Sequence, residues 1–297
     1  MNLEKKSMLA AGLAYSIFGL SYLFSKMALN VTEPAILLSC RFLVTVIVLN
    51  ILGLTGIMKL KLKGKKLMGP ILLGLLQPLL YFVFENYGLK YTTTSFTGII
   101  SSMSPVFGAI LGVIMLKEKP NIKQWICIFI SIAGVLMVSL GTSSGENTIA
   151  GCLCLLAAYF VGALYSIIVR KLSKDYSSFE LTYIMFTVGF IFFSAMSLVS
   201  YRGETFAMVY DAFTHSEFII AILYLGGVAS VGAYMLVNYS LSKLTVTRST
   251  VFSSFATIVS VLSGVILMKD PFTAVSAVAF VLILGGVAGV YLFANKE

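Results

Sequence analysis

Charge is what this 297-residue chain has least of: Asp, Glu, Lys and Arg make up 11% of it, against roughly 25% of a soluble domain. So sparse a charged surface argues against a globule in water and points to lipid. Histidine is rarer still, with His215 alone, in a polar loop. The four cysteines, Cys40, Cys127, Cys152 and Cys154, all lie in apolar runs, and Cys152-x-Cys154 has no further ligands at metal spacing. They read as small packing residues, and no metal is expected. Neither His-Glu-x-x-His nor the phosphate-cradling Gly-x4-Gly-Lys-Ser/Thr pattern occurs, and no two carboxylates share an apolar run. Zinc hydrolysis, direct nucleotide coupling and two-carboxylate acid–base catalysis are therefore set aside, and neither an enzyme nor a cofactor is expected.

What fills the chain instead is hydrophobic length. Apolar residues are 59% of the total, gathered into runs long enough to cross a hydrocarbon core of roughly 30 Å as helices. Ten runs are read, at 8–28, 34–56, 68–89, 94–116, 122–141, 149–170, 179–201, 218–241, 246–268 and 272–294. Polar or Gly/Pro-marked breaks such as LNVTEP, KEKPN, GTSSGEN, KDPFT and the longer YRGETFAMVYDAFTHSE separate them. The first run follows Lys5 and Lys6 as a secretion signal would, but it is too long and lacks a clear cleavage site, so it reads as a spanning helix. The expected fold is an all-α integral membrane protein with ten transmembrane helices.

A formal charge of +9 would suit nucleic acid, but its placement reads as topology. With the N-terminus set in the cytoplasm, 16 Lys and Arg fall in inner segments, among them Lys59, Lys61, Lys63, Lys65, Lys66, Lys117, Lys119, Arg170, Arg248 and Lys296. Four fall outside, Lys26, Lys90, Arg202 and Lys269, and Arg41 sits within a span. That bias puts both termini in the cytoplasm and leaves no case for nucleic acid. The KLKLKGKK run reads first as a topology signal and second as a patch for acidic headgroups.

The chain also matches itself. Shifted by 152 residues without a gap, Gly74 meets Gly226, Asn86-Tyr87 meets Asn238-Tyr239, Ser101-Ser102 meets Ser253-Ser254 and Lys117-Glu118 meets Lys269-Asp270. This is an internal repeat, with halves at 1–145 and 146–297. Five spans per half is an odd number, so equivalent helices cross in opposite directions. Inverted-topology duplication is the mark of a secondary transporter with its site near the midplane, a plan that a channel or a flippase can also share. Gly108-x-x-x-Gly112 and its partner Ser260-x-x-x-Gly264 read as helix-packing faces.

FGLSYLFSK in the first span, CRF in the second, SPVFGAILGVIMLKE through the fourth and QWICIFISIAGVLMV in the fifth resemble the EamA-type branch of the drug/metabolite transporter superfamily, over nearly the whole chain. The resemblance implies a carrier of the bacterial-type cytoplasmic (inner) membrane, often an exporter of amino acids or other small metabolites. It also implies a central cavity lined by the first, third, fourth, sixth, eighth and ninth spans. Phe18 stands where the family commonly has tryptophan, which removes one stacking surface.

In the middle of those spans, Tyr15, Phe18 and Tyr22 recur at i, i+3 and i+7 and share a helix face. Gln77 and Tyr81 flank Pro78 in the third. Ser101 in the fourth has its repeat partner Ser253 in the ninth, followed by Thr257. Tyr159 and Gly162 in the sixth, with Ser230 and Tyr234 in the eighth, complete a polar-aromatic ring suited to a small amphipathic solute. Serines in membrane helices also bond back to their own helix, and that plainer reading stands beside the functional one for Ser101 and Ser253.

Glu85 is the one acidic residue well inside a span, roughly 7 Å from the outer end of the third, while Arg41 lies roughly 10 Å from the outer end of the second. Three readings stay open. Glu85 reaches outward to Lys90 or Lys26, forms an outer gate with Arg41, or binds a proton or a cationic solute among Tyr81, Phe84 and Tyr87. Asn86 and its partner Asn238 fall near opposite ends of the pathway, as gates or end caps do. The expected function is secondary-active or facilitative transport of a small metabolite, amino-acid-like and outward, by alternating access between the halves. Import of a cationic amine through Glu85 and the tyrosines is the first alternative, and lipid translocation the second. The expected partners are a small-molecule substrate, the bilayer and, if Glu85 titrates in the pathway, protons.

Overall fold

The computed structural model describes residues 3–116, 121–141, 147–244, 249 and 252–293, and every regular element among them is helical. Lys117-Glu118, Lys119, Arg248 and Lys296 lie outside the described residues. In chain order the helices are α1 (Leu3–Leu29), α2 (Pro34–Leu54), α3 (Met68–Lys90), α4 (Thr94–Ser101), α5 (Ser104–Leu116) and α6 (Ile122–Gly141). They continue with α7 (Ile149–Leu172), α8 (Ser178–Ser200), α9 (Thr205–Thr214), α10 (Ser216–Lys243), α11 (Ser253–Met268) and α12 (Ala274–Leu292). Among the described residues, seven segments are long and apolar enough to cross a membrane: Lys5–Leu29, Pro34–Leu54, Met68–Lys90, Thr94–Leu111, Ile149–Leu172, Ser178–Ser200 and Ser216–Lys243. Ile122–Val138, Ser253–Met268 and Ala274–Val290 are apolar but shorter.

Short polar breaks become helix starts because their hydroxyls satisfy backbone N–H groups that a first turn leaves unpaired. Thr93 accepts from Phe96 N at the start of α4, and Thr148 accepts from Gly151 N at the start of α7. At α8 the capping is reciprocal, with Ser177 and Glu180 each accepting from the other's backbone N–H.

Four spans depart from the straight helices expected, α11 by widening over Gly264–Met268 at its end. In α3 the turn widens over Leu75–Leu80 and Gln77 leaves helical geometry (φ −141°, ψ 117°), because a residue before proline is pushed out of the α region. The fourth span, expected unbroken over 94–116, divides at Ser102-Met103 into α4 and α5; Pro105, just beyond, lacks an N–H to continue the ladder. Over Tyr224–Ala233, α10 widens in a stretch that carries three of its glycines, Gly226, Gly227 and Gly232. The segment TFAMVYDAFT, expected as loop, forms α9, with Phe206 (75%) and Tyr210 (77%) exposed and Ala212 buried.

Small residues set the close crossings. A Cβ on Gly19 of α1 would lie 2.6 Å from the Ala256 carbonyl of α11, and one on Gly98 of α4 would lie 2.6 Å from Ser260. Ser260 also donates to the Thr94 carbonyl (2.9 Å), so α4 and α11 are held backbone to side chain. Gly108, expected on a packing face, has nothing within 4 Å of a Cβ.

Polar contacts gather at the two ends of the bundle. At one end, Lys90 pairs with Glu33 (2.6 Å), Thr93 N donates to Asn147 (2.7 Å), and Ser95 donates to Asp270 from its N (2.7 Å) and Oγ (2.8 Å). At the other, Lys65 pairs with Glu180 (2.7 Å) and the Tyr176 hydroxyl donates to the Lys66 carbonyl.

Candidate functional site

Between these ends lies a cavity of about 90 Å³. The face shared by Tyr15, Phe18 and Tyr22 looks into it from α1, joined by Gln77, Tyr81 and Glu85 from α3 and Arg41 from α2. Across from them stand Ser101, Tyr159, Gly162, Tyr234 and Ser253. Helical periodicity places the α1 and α7 residues, and the proline break in α3 turns Gln77 inward.

Arg41 is the largest fully buried side chain, 1% exposed. Its Nε donates to Ser230 Oγ (2.9 Å), and its guanidinium lies 4.3 Å from the centroid of the Phe82 ring, within cation–π range. Glu85, 5% exposed, shares the cavity, beside the Tyr81 hydroxyl and within the field of Arg41. Among the described residues no ion pair within 4.0 Å joins the two. The expectation that Glu85 reaches the outer surface is corrected. Its intended partners are engaged elsewhere, Lys90 by Glu33 and Lys26 by the carbonyls of Leu89 and Thr92, and Glu85 turns inward.

Aromatic rings build the walls. Tyr81 and Tyr159 meet edge to face with centroids 6.3 Å apart, and Phe18 meets Tyr234 at 4.9 Å. The Gln77 amide donates to the Tyr234 hydroxyl, tying the break in α3 to α10. Ser101 Oγ bonds back to the Gly98 carbonyl (2.6 Å), whereas the buried Ser253 Oγ has no partner among the described residues.

Two residues expected at the site, Ser230 and Thr257, and two expected as gates or end caps, Asn86 and Asn238, do not line the cavity. Ser230 is the acceptor that fixes Arg41, and Thr257 shares a hydrogen bond with Ser102 (2.7 Å). Asn238 accepts from the Tyr165 hydroxyl (2.5 Å) and donates to Thr182 Oγ1 (3.0 Å), bracing α7, α8 and α10 together. Asn86 donates to the Phe82 carbonyl (3.0 Å), and its Oδ1 has no partner among the described residues. Sequence reasoning missed Tyr165, Ser166 and Phe82, all of which line the cavity. For Tyr165 a signal was present: Gly19-x-x-Tyr22 of α1 recurs as Gly162-x-x-Tyr165 in α7.

The EamA-like transporter family matches residues 5–140 and again 149–292. The chain belongs to that family. It is similar to a Bacillus subtilis (strain 168) protein described as "Uncharacterized transporter YcxC", with 32% identity over 97% of this chain and 93% of that one. An "Uncharacterized transporter" of Archaeoglobus fulgidus is 27% identical over 99% of both chains. A solved crystal structure superposes with a TM-score of 0.71 over 97% of each chain at 18% identity, a likeness of fold. Family membership and the apolar helices together make this an integral membrane protein and a membrane transporter. For an EamA-family chain, an aromatic cavity with a buried guanidinium and a buried carboxyl group can do a defined thing: hold a small solute by polar and ring contacts away from lipid.

Proposed function

We propose that this transporter carries a small zwitterionic metabolite, an amino acid or a close relative, outward across a bacterial-type cytoplasmic membrane. The observation that carries the reading is the pairing of Arg41 and Glu85 in one cavity without an ion pair between them. Charges inside a span call for partners, and a solute bearing both a carboxylate and an ammonium supplies one to each. The tyrosine and phenylalanine faces then take its apolar part. The shorter helices 122–138, 253–268 and 274–290 complete ten crossings, arranged as inverted halves at 1–145 and 146–297 with both termini in the cytoplasm. The two separate family matches along the chain and the 16-to-4 bias of basic residues support this arrangement. Access alternates as the halves rock about the cavity, and the outward direction follows the exporters that the family resemblance brings with it.

Import of a cationic amine is the second reading, favoured by the tyrosines around Glu85: Tyr22 and Tyr81 line the cavity with it, and Tyr159 packs on Tyr81. The two readings part in a thermal-stability panel on the purified protein in detergent, with neutral amino acids, N-acetyl amino acids, quaternary amines and lipids. A ligand at 100 times its Kd adds about 2.7 kcal/mol. Stabilisation by free amino acids, absent for their N-acetyl forms, is the expected result. A response to amines alone selects the second reading, and one to lipids alone contradicts both.

A further inference from the structure

Two basic residues outside the cavity make the same contact at opposite ends of the bundle. Lys26, in the last turn of α1, donates to the carbonyls of Leu89 (2.9 Å) and Thr92 (2.6 Å), where α3 ends. Arg170, in the last turn of α7, donates to the Leu244 carbonyl and lies 3.5 Å from the Leu241 carbonyl, where α10 ends. The acceptors correspond across the repeat: Leu241 lies 152 residues after Leu89, and Leu244 lies 152 after Thr92. That is the offset at which the whole central stretch of the chain matches itself. The donors do not share that offset, but each lies in the last turn of the first long helix of its half.

The last carbonyls of a helix have no partner within it and sit at the negative pole of its dipole, so a cation aimed at several of them ties the helix end to whatever carries the cation. The neighbouring basic residues do not duplicate the contact. Lys90 is taken by Glu33, and Lys243 is exposed. α3 carries Gln77, Tyr81 and Glu85 into the cavity, and α10 carries Tyr234. Each clamp thus fixes one end of a helix that lines the site.

At the Lys26 end the closure is tight. A Cβ on Gly88 of α3 would lie 2.7 Å from the Leu155 side chain of α7, and one on Gly151 would lie 2.7 Å from Thr92. Loosening the Lys26 contact frees the end of α3 that makes this seal. Loosening Arg170 frees the equivalent end of α10 on the opposite side.

We infer that Lys26 and Arg170 are a pair of positioning residues, holding repeat-equivalent carbonyls, each stabilising the closed state of the mouth at its own end of the carrier. The inference rests on the alternating-access reading above. It assigns a role in the transport cycle to two residues that touch no substrate.

The test uses the full-length protein in oriented membrane vesicles, with Cys40, Cys127, Cys152 and Cys154 replaced by alanine and a reporter thiol at the cavity-lining position Ser104 (Ser104→Cys). A membrane-impermeant maleimide is added from one side or the other, and the ratio of labelling from the Lys26 side to labelling from the Arg170 side is read. Lys26→Gln should raise that ratio about fivefold and Arg170→Gln should lower it about fivefold, the change expected when a helix-end charge contact is lost. The Lys26→Gln/Arg170→Gln double variant should return toward the parent. Exchanging the cations, Lys26→Arg with Arg170→Lys, should leave the ratio within about twofold, since both side chains reach carbonyls at a helix end. This exchange keeps the test decisive should a glutamine variant fail to fold. Shifts in the same direction, no shift in either glutamine variant, or a displaced ratio in the exchanged protein would overturn the paired role. Labelling from one side only in every variant would overturn alternating access itself, and the clamps with it.

Discussion

Glu85→Gln is expected to weaken binding of a zwitterionic solute by at least about tenfold while leaving the protein folded. A hydrogen bond to a charged group is worth about 1.5–3 kcal/mol, and glutamine keeps the shape of the side chain while removing its charge. The site offers no substitute anion: among the residues lining the cavity, Glu85 is the one carboxylate. Lys26 and Lys90 are held by other partners, so the loss of charge at position 85 is not offset from the bundle end. Binding isotherms for a neutral amino acid and for its N-acetyl derivative, on parent and variant, separate this from a structural effect. The parent should discriminate strongly between the two ligands and the variant weakly. Equal affinity of parent and variant for the free amino acid would place the ammonium elsewhere.

Arg41→Met should cost the unliganded protein up to about 3 kcal/mol in stability, at the low end for removing one member of a buried charged pair because the two charges are not in contact. Methionine fills much of the same volume and packs on Phe82, so the loss comes from charge more than from a void. It leaves Glu85 without its opposite charge and Ser230 without its donor. Arg41→Met/Glu85→Gln removes both charges together and should regain most of the stability, though not the binding. Thermal unfolding of the three variants measures this coupling, and a double variant as unstable as the sum of the singles would mean that the two charges do not interact. Arg41→Lys is not expected to rescue the carboxylate end, because a point ammonium lacks the planar fork and the stacking on Phe82.

Hydrophobic length and break chemistry carried most of the fold into view, since a lipid solvent forces unbroken apolar runs and Thr93, Thr148 and Ser177 mark helix starts by their hydroxyls. The seven long spans were legible for that reason. Interruptions inside spans were harder. Pro78 announces a distortion and Pro70 is tolerated in the first turn of α3, where no N–H is needed, but the apolar length of the fourth span hides the break ahead of Pro105. α9 was hidden because it is a helix of only 10 residues between polar ends, too short to stand out by hydrophobic length.

At the site, Tyr15, Phe18 and Tyr22 were readable from spacing alone. Ser230 and Thr257 look from sequence like cavity residues, yet hold the walls from behind, a difference set by helix rotation that periodicity leaves undetermined when a helix is apolar on nearly every face. Lys26 and Arg170 looked like plain topology charges, because a backbone carbonyl leaves no mark in the sequence of the residue that provides it.

Counterflow in proteoliposomes tests the central claim most directly. Vesicles holding the purified protein are preloaded with a millimolar neutral amino acid and diluted into trace radiolabelled amino acid. A carrier whose single site faces each side in turn accumulates label transiently above its equilibrium level, and preloading with the N-acetyl form gives no such overshoot. Label that merely equilibrates at a rate independent of preload, or lipid scrambling without solute flux, would contradict an alternating-access carrier of zwitterions.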